Sequence, residues 1–161
     1  DVLRRIVDQA RSLVLDADAL NAIAGQPGLA QALRERAQPT VLTPHPLEAA
    51  RLLGCAAAEV QADRLRAATT LAERFSCVVV LKGSGSVIPD PPKTPHLNPP
   101  GNARLATAGT GDVLAGLVAA LLAAGAEPFE AATAAASRHG LAADRWPSGG
   151  ALTAGALANS L

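Results

Sequence analysis

Three short apolar runs constrain this chain more than anything else in it: "SLVLD" at 12–16, "TVLT" at 40–43 and "CVVVL" opening the stretch 77–82. Each is apolar without interruption, which predicts strands covered on both faces. Between and after them lie alanine- and leucine-rich stretches at helical spacing. Helices are expected over 2–10 and 29–37, from Pro46 to a stop at Gly54, over 59–74, and at 112–124, 128–144 and 151–160. Proline just inside a start and glycine just past an end suit the Pro46 helix. "SGSVIPD" predicts a further strand, paired with 77–82 through a tight turn. "DPPKTPHLNPPGN" reads as a proline-rich loop with two or three extended residues near Leu97. Apolar strands alternating with helices give an α/β fold with a mostly parallel sheet.

Sheets of this kind gather ligands at the carboxyl ends of their strands, and the unusual residues of this sequence fall there. Asp16 and Asp18 follow the first strand, "PHP" with Glu48 the second, and Lys82 the third; "AGTGD" at 108–112 leads into a long apolar helix. In that turn Gly109, Thr110 and Gly111 would form an anion hole of backbone N–H groups, strengthened by the positive end of the helix. Asp112 would then accept the proton of a hydroxyl attacking phosphorus. Helix capping is the competing reading. Lys82 opens "KGSGS", where an ammonium meets a phosphate and small residues admit a nucleotide; a hairpin turn with a solvated lysine is the alternative. His45 is restrained by a proline on each side. Glu48 is a candidate to hold magnesium through water, or simply an acid in a first helical turn. Asp16 and Asp18 are either site residues or the cap of the helix after them.

Composition removes several classes. With 14 basic and 14 acidic residues the net charge is zero, which leaves no electrostatic footprint for nucleic acid or an anionic membrane surface. The longest uncharged apolar run, 113–126, is too short to span a bilayer. Cys55 and Cys77 lack metal-ligand spacing and read as reduced, buried thiols of a cytoplasmic protein. No Met occurs, and the first residues do not read as a signal peptide, so none is expected. The 161 residues are expected to be one domain lacking its N-terminal part.

Four segments in order, "LVLDADALN", "VLTPHPLEAARLLG", "VVVLKGSGSVI" and "NPPGNARLATAGTGDVLAG", resemble the signature segments of the ADP/ATP-dependent NAD(P)H-hydrate dehydratases of the ribokinase-like superfamily. The resemblance covers residues 12–125 and implies a three-layer α/β/α fold. It implies a repair reaction in which ADP or ATP phosphorylates the 6-hydroxyl of NADH or NADPH hydrate and phosphate is then eliminated, with Mg2+ present. By the same likeness His45 and Asp112 contact the hydrate. Lys82, Gly83, Ser84, Gly85, Ser86 and Gly111 line the adenine-nucleotide site. The family also implies a homo-oligomer. Related vitamin kinases carry Asn where His45 stands, which favours the dehydratase over a hydroxymethylpyrimidine- or hydroxyethylthiazole-type kinase; a non-catalytic nucleotide-binding module is the other alternative. Two departures stand out: Pro100 replaces a usual Thr, and the glycine-rich loop that family members place earlier in the domain has no counterpart here.

Overall fold

The structure, a computed structural model, describes residues 2–161. Strands β1 (Leu13–Leu15), β2 (Thr40–Leu42) and β3 (Val78–Val79) form a parallel sheet in that order, with Val14 opposite Val41 and Leu42 opposite Val79. Helices α1 (Val2–Gln9), α2 (Ala17–Gly25) and α3 (Pro27–Glu35) surround the first crossover. They are followed by α4 (Pro46–Leu53), α5 (Ala57–Ala62) and α6 (Arg64–Phe75). Beyond a hairpin lie α7 (Thr110–Ala123), α8 (Pro128–Asp144) and α9 (Ala154–Ala158). Among the described residues no helix is long and apolar enough to cross a membrane.

The apolar strands feed two cores at once, because successive side chains point to opposite faces of the sheet. Leu13, Leu15, Leu42, Val79 and Leu81 pack with α1–α6. Val14, Val41, Val78 and Val80 pack instead with α7 and α8, through Leu114, Val118, Ala132 and Ala135. This is the expected α/β/α layering. A third, smaller cluster joins Ala143, Leu152 and Leu157 beneath the end of α8.

Three local expectations need correction. The helix foreseen at 59–74 is broken, because Asp63 turns its side chain to the N–H of Arg66 and starts α6 afresh. Asp16 accepts from the N–H of Ala17 and opens α2, in keeping with the capping alternative stated for it. The proline-rich segment contains a full strand, β5 (Lys93–Leu97), antiparallel to β4 (Val87–Asp90) across a turn at Pro91 and Pro92. Pro95 biases Thr94 to extended backbone, and an edge strand tolerates a proline. The strand expected at 77–82 keeps ladder pairing only at Val78–Val79, while Leu81 bridges Val87 through two backbone hydrogen bonds of 2.9 and 3.1 Å.

Candidate active site

At the end of β1 the chain turns at Asp16, whose carboxylate caps α2 and also receives the Lys82 ammonium at 2.7 Å. The two come from loops 66 positions apart. Both are mostly shielded, with side-chain exposures of 19% for Lys82 and 13% for Asp16. Asp16 is therefore cap and ion-pair partner together. Asp18 sits exposed in the first turn of α2 and does not reach the cleft.

At the end of β2, His45 is the N-cap of α4. Its Nδ1 accepts from the N–H groups of Leu47 and Glu48 at 3.1 and 3.2 Å. Glu48 is buried and closes the box, taking the His45 N–H at 2.8 Å while its other oxygen stands 3.3 Å from His45 Nε2. The Glu48 carboxylate is thus engaged by its own helix start and does not line the cleft. Among the described residues no group of three or more His, Cys, Asp or Glu side chains could hold a metal.

Beyond β3 the backbone N–H of Lys82 reaches the carbonyl of Pro44 at 2.8 Å, tying the second and third strand ends together. Gly83 and Gly85 take φ of +150° and +65°, conformations that favour glycine. Among the described residues the hydroxyls of Ser84 and Ser86 make no hydrogen bond, and both serines line the same cleft.

The glycine turn completes the ring. Gly109, at φ +83°, is the N-cap of α7 and offers no side chain to cap it. Thr110 turns inward, its hydroxyl donating to the carbonyls of Leu105 and Thr107 at 2.6 and 2.8 Å. It braces the turn, and the hole expected from the backbone N–H groups of Gly109, Thr110 and Gly111 loses that of Thr110. The N–H of Thr110 reaches Thr107 at 3.3 Å, whereas among the described residues no hydrogen bond takes the N–H groups of Gly111 and Asp112. A Cβ at Gly111 would lie 3.3 Å from Lys82 Nζ and 4.0 Å from Asp16 Oδ2, so the ion pair and the turn are in contact. Asp112 is exposed, at the third position of α7, and among the described residues its carboxylate makes neither hydrogen bond nor ion pair. It stands at the rim and not among the lining residues.

These loops surround a cleft of about 750 Å³ that His45, Lys82 to Ser86, Thr110 and Gly111 line. Its back wall was not anticipated from the sequence. One face of α8 builds it. His139, buried, meets the carbonyl of Thr110 at 2.8 Å through Nε2. A carbonyl can only accept, so Nε2 carries the proton. Burial lowers the pKa of His139, the hydrogen bond to Thr110 opposes that, and the Lys82 charge lowers it further. Gly140 lies against the backbone of Pro100 and Gly101. Asp144 accepts from the N–H of Gly101 at 2.9 Å and from Asn102 at 2.8 Å, and Asn98 donates to the Ala136 carbonyl at 3.2 Å. The signal was present: a glycine in mid-helix costs about 1 kcal/mol relative to alanine, and Gly140 sits next to the only histidine of an alanine-rich run.

A family model described as NAD(P)H-hydrate dehydratase matches residues 1–161. The ADP-dependent (S)-NAD(P)H-hydrate dehydratase of Neisseria meningitidis is 46% identical over 151 residues, which are 94% of this chain and 51% of that protein. The bifunctional NAD(P)H-hydrate repair enzyme Nnr of Escherichia coli is 42% identical over 142 residues, covering 88% of this chain and 26% of the relative. The chain therefore spans about half the length, or less, of the curated relatives it matches. A crystal structure of the ADP/ATP-dependent NAD(P)H-hydrate dehydratase from Bacillus subtilis, co-crystallised with ATP and Mg2+ and soaked with CoA, superposes with a TM-score of 0.80. It is 33% identical, and the match covers 98% of this chain and 58% of the other.

Proposed function

The chain belongs to the NAD(P)H-hydrate dehydratase family, and from that premise we propose that its cleft carries out an ADP- or ATP-dependent dehydration of NADH or NADPH hydrate. The nucleotide lies along Lys82–Ser86 with its terminal phosphate at the open N–H groups of Gly111 and Asp112. His45 and Asp112 face the hydrate.

In the first step the 6-hydroxyl oxygen attacks the terminal phosphorus and its proton passes to Asp112. The phosphorus–oxygen bond to the nucleotide breaks, so ADP leaves as AMP, or ATP as ADP. Backbone N–H groups at the start of α7, with Lys82 beside them, stabilise the charge on the transferring group. In the second step the carbon–oxygen bond at C6 breaks. Phosphate departs with the electron pair, a proton leaves C5, and the dihydropyridine ring is restored. Among the described residues no group of three or more His, Cys, Asp or Glu side chains is placed to hold magnesium. Magnesium is commonly bound through substrate phosphates with few carboxylates, and no step here is assigned to it.

The observation that carries this reading is the free Asp112 carboxylate beside two open N–H groups. A capping role predicts the reverse, a carboxylate bonded to its own helix start. The test is Asp112→Asn in the complete protein, following NADH absorbance regained from its hydrate with ADP and Mg2+. Turnover should fall roughly 100-fold or more, while stability changes by no more than about 1 kcal/mol, since no hydrogen bond is lost and only the charge at the helix start is removed. Turnover within a few-fold of wild type removes Asp112 from the mechanism. Release of AMP together with NADH, and not of a stable phosphate ester, separates dehydration from the chemistry of a small-molecule kinase.

A further inference from the structure

Arg64 is the first residue of α6, directly after the capping Asp63. A cation at the positive end of a helix is unfavourable, and among the described residues Arg64 forms no ion pair to offset it. Arg74 on Leu52 at the end of α4 and Arg36 on Val7 and Ala10 at the end of α1 bind carbonyls at helix C-termini, where the dipole welcomes them, while Arg4 holds the single carbonyl of Gly28 at 3.3 Å from an exposed position. Arg64 instead reaches into the glycine-rich loop. Its Nη1 donates to the carbonyl of Ser84 at 2.5 Å and its Nη2 to that of Leu81 at 3.1 Å, so the fork straddles Lys82 and Gly83. A Cβ at Gly83 would sit 2.7 Å from Nη2 and 3.0 Å from Cζ, so the guanidinium fills the space a side chain would need. Its Nε is buried without a hydrogen-bond partner.

We propose that Arg64 is a positioning residue that sets the shape and charge of the Lys82–Ser86 loop, and through them the affinity for a nucleoside diphosphate. Arg64 does not line the cleft, so it acts from behind. It draws two carbonyl oxygens towards α6, where they cannot repel a phosphate, and leaves the serine hydroxyls and Lys82 on the cleft side. It also places a second positive charge under the loop, unmatched by any carboxylate among the described residues, while Lys82 is already matched by Asp16. A planar fork is needed to hold two carbonyls at once, and a lysine ammonium does not reproduce it. This inference rests on reading the loop as the nucleotide site.

The experiment compares wild type, Arg64→Lys and Arg64→Ala in the complete protein, using ADP binding by calorimetry, steady-state rates and thermal midpoints. Each variant should raise Kd and KM for ADP by about tenfold or more, the scale of lost charge-assisted hydrogen bonds, with kcat within a few-fold of wild type. Low concentrations of methylguanidinium should restore part of the ADP affinity of Arg64→Ala. Wild type that binds ADP together with variants of unchanged affinity overturns the inference and leaves the nucleotide reading intact. A kcat and thermal midpoint that fall together, without chemical rescue and with the Arg64→Lys midpoint lowered equally, also overturn it by marking an arginine needed only for folding. Wild type that fails to bind ADP removes the nucleotide reading itself.

Discussion

Glu48 and Asp112 are both acids at the third position of a helix, and their surroundings give them opposite fates. The N-cap decides. His45 offers α4 a ring nitrogen and an N–H that Glu48 reaches back to take, whereas Gly109 offers α7 no side chain and Asp112 stays unbonded. Glu48→Gln keeps an acceptor for the His45 N–H but turns an amide NH2 towards His45 Nε2, so the thermal midpoint should fall slightly while the magnesium dependence of turnover holds. Glu48→Ala should cost about 1 kcal/mol, the usual value of a lost cap. A strong shift in magnesium requirement for Glu48→Gln would instead restore Glu48 as a metal residue. His139 supplies the pH dependence. Its pKa is lower in the folded chain than the ordinary 6.5, chiefly through burial. Unfolded chain therefore binds more protons below that value, and the stability from keeping this ring neutral is full above it and lost as pH falls towards the folded pKa. His139→Gln retains a donor for the Thr110 carbonyl without titrating, so its melting point should fall less than that of wild type on acidification from neutral pH. Equal slopes would exclude His139 as the source.

At the scale of elements, α8 positions the cleft's back wall and α7 its floor. Gly140 is where α8 admits the loop at Pro100 and Gly101, since an added Cβ would strike that backbone. On propensity alone Gly140→Ala should stabilise the helix by about 1 kcal/mol; the collision predicts a loss of about 1–3 kcal/mol instead, read as a lower midpoint in urea. Much of the element plan was legible because apolar runs, proline starts and glycine stops are local signals: α4, α7 and α8 fall where the sequence places them. The break at Asp63 and the strand Lys93–Leu97 were not, since one depends on a single side-chain cap and the other on pairing with a partner strand. The site divides the same way. Lys82, His45 and the glycine turn announce themselves by composition, while His139, Asp144 and Arg64 act across 29, 43 and 20 positions of sequence, a separation no motif records.

For the whole molecule, the ribokinase-like layering means that β2 is buried from both sides, with Val41 and Leu42 each at 0% exposure. Leu42→Ala opens a cavity in the layer of α1–α6 and should cost about 2–5 kcal/mol, a large share of the roughly 5–15 kcal/mol that holds a domain together. Denaturant unfolding of the complete protein measures it. The strict alternation that sends Leu42 to one core and Val41 to the other has a consequence for how this sequence tolerates change. Leu71 belongs to the first cluster and Val118 to the second, with the sheet between them. Substitutions at such a pair share no neighbours, so their energetic effects should sum to within about 0.5 kcal/mol. Leu71→Ala, Val118→Ala and the double variant close that cycle, and a larger coupling term would show that the two cores communicate through the strands. If the sum holds, drift in one layer leaves the other free to vary, and each can be re-engineered without reference to its counterpart.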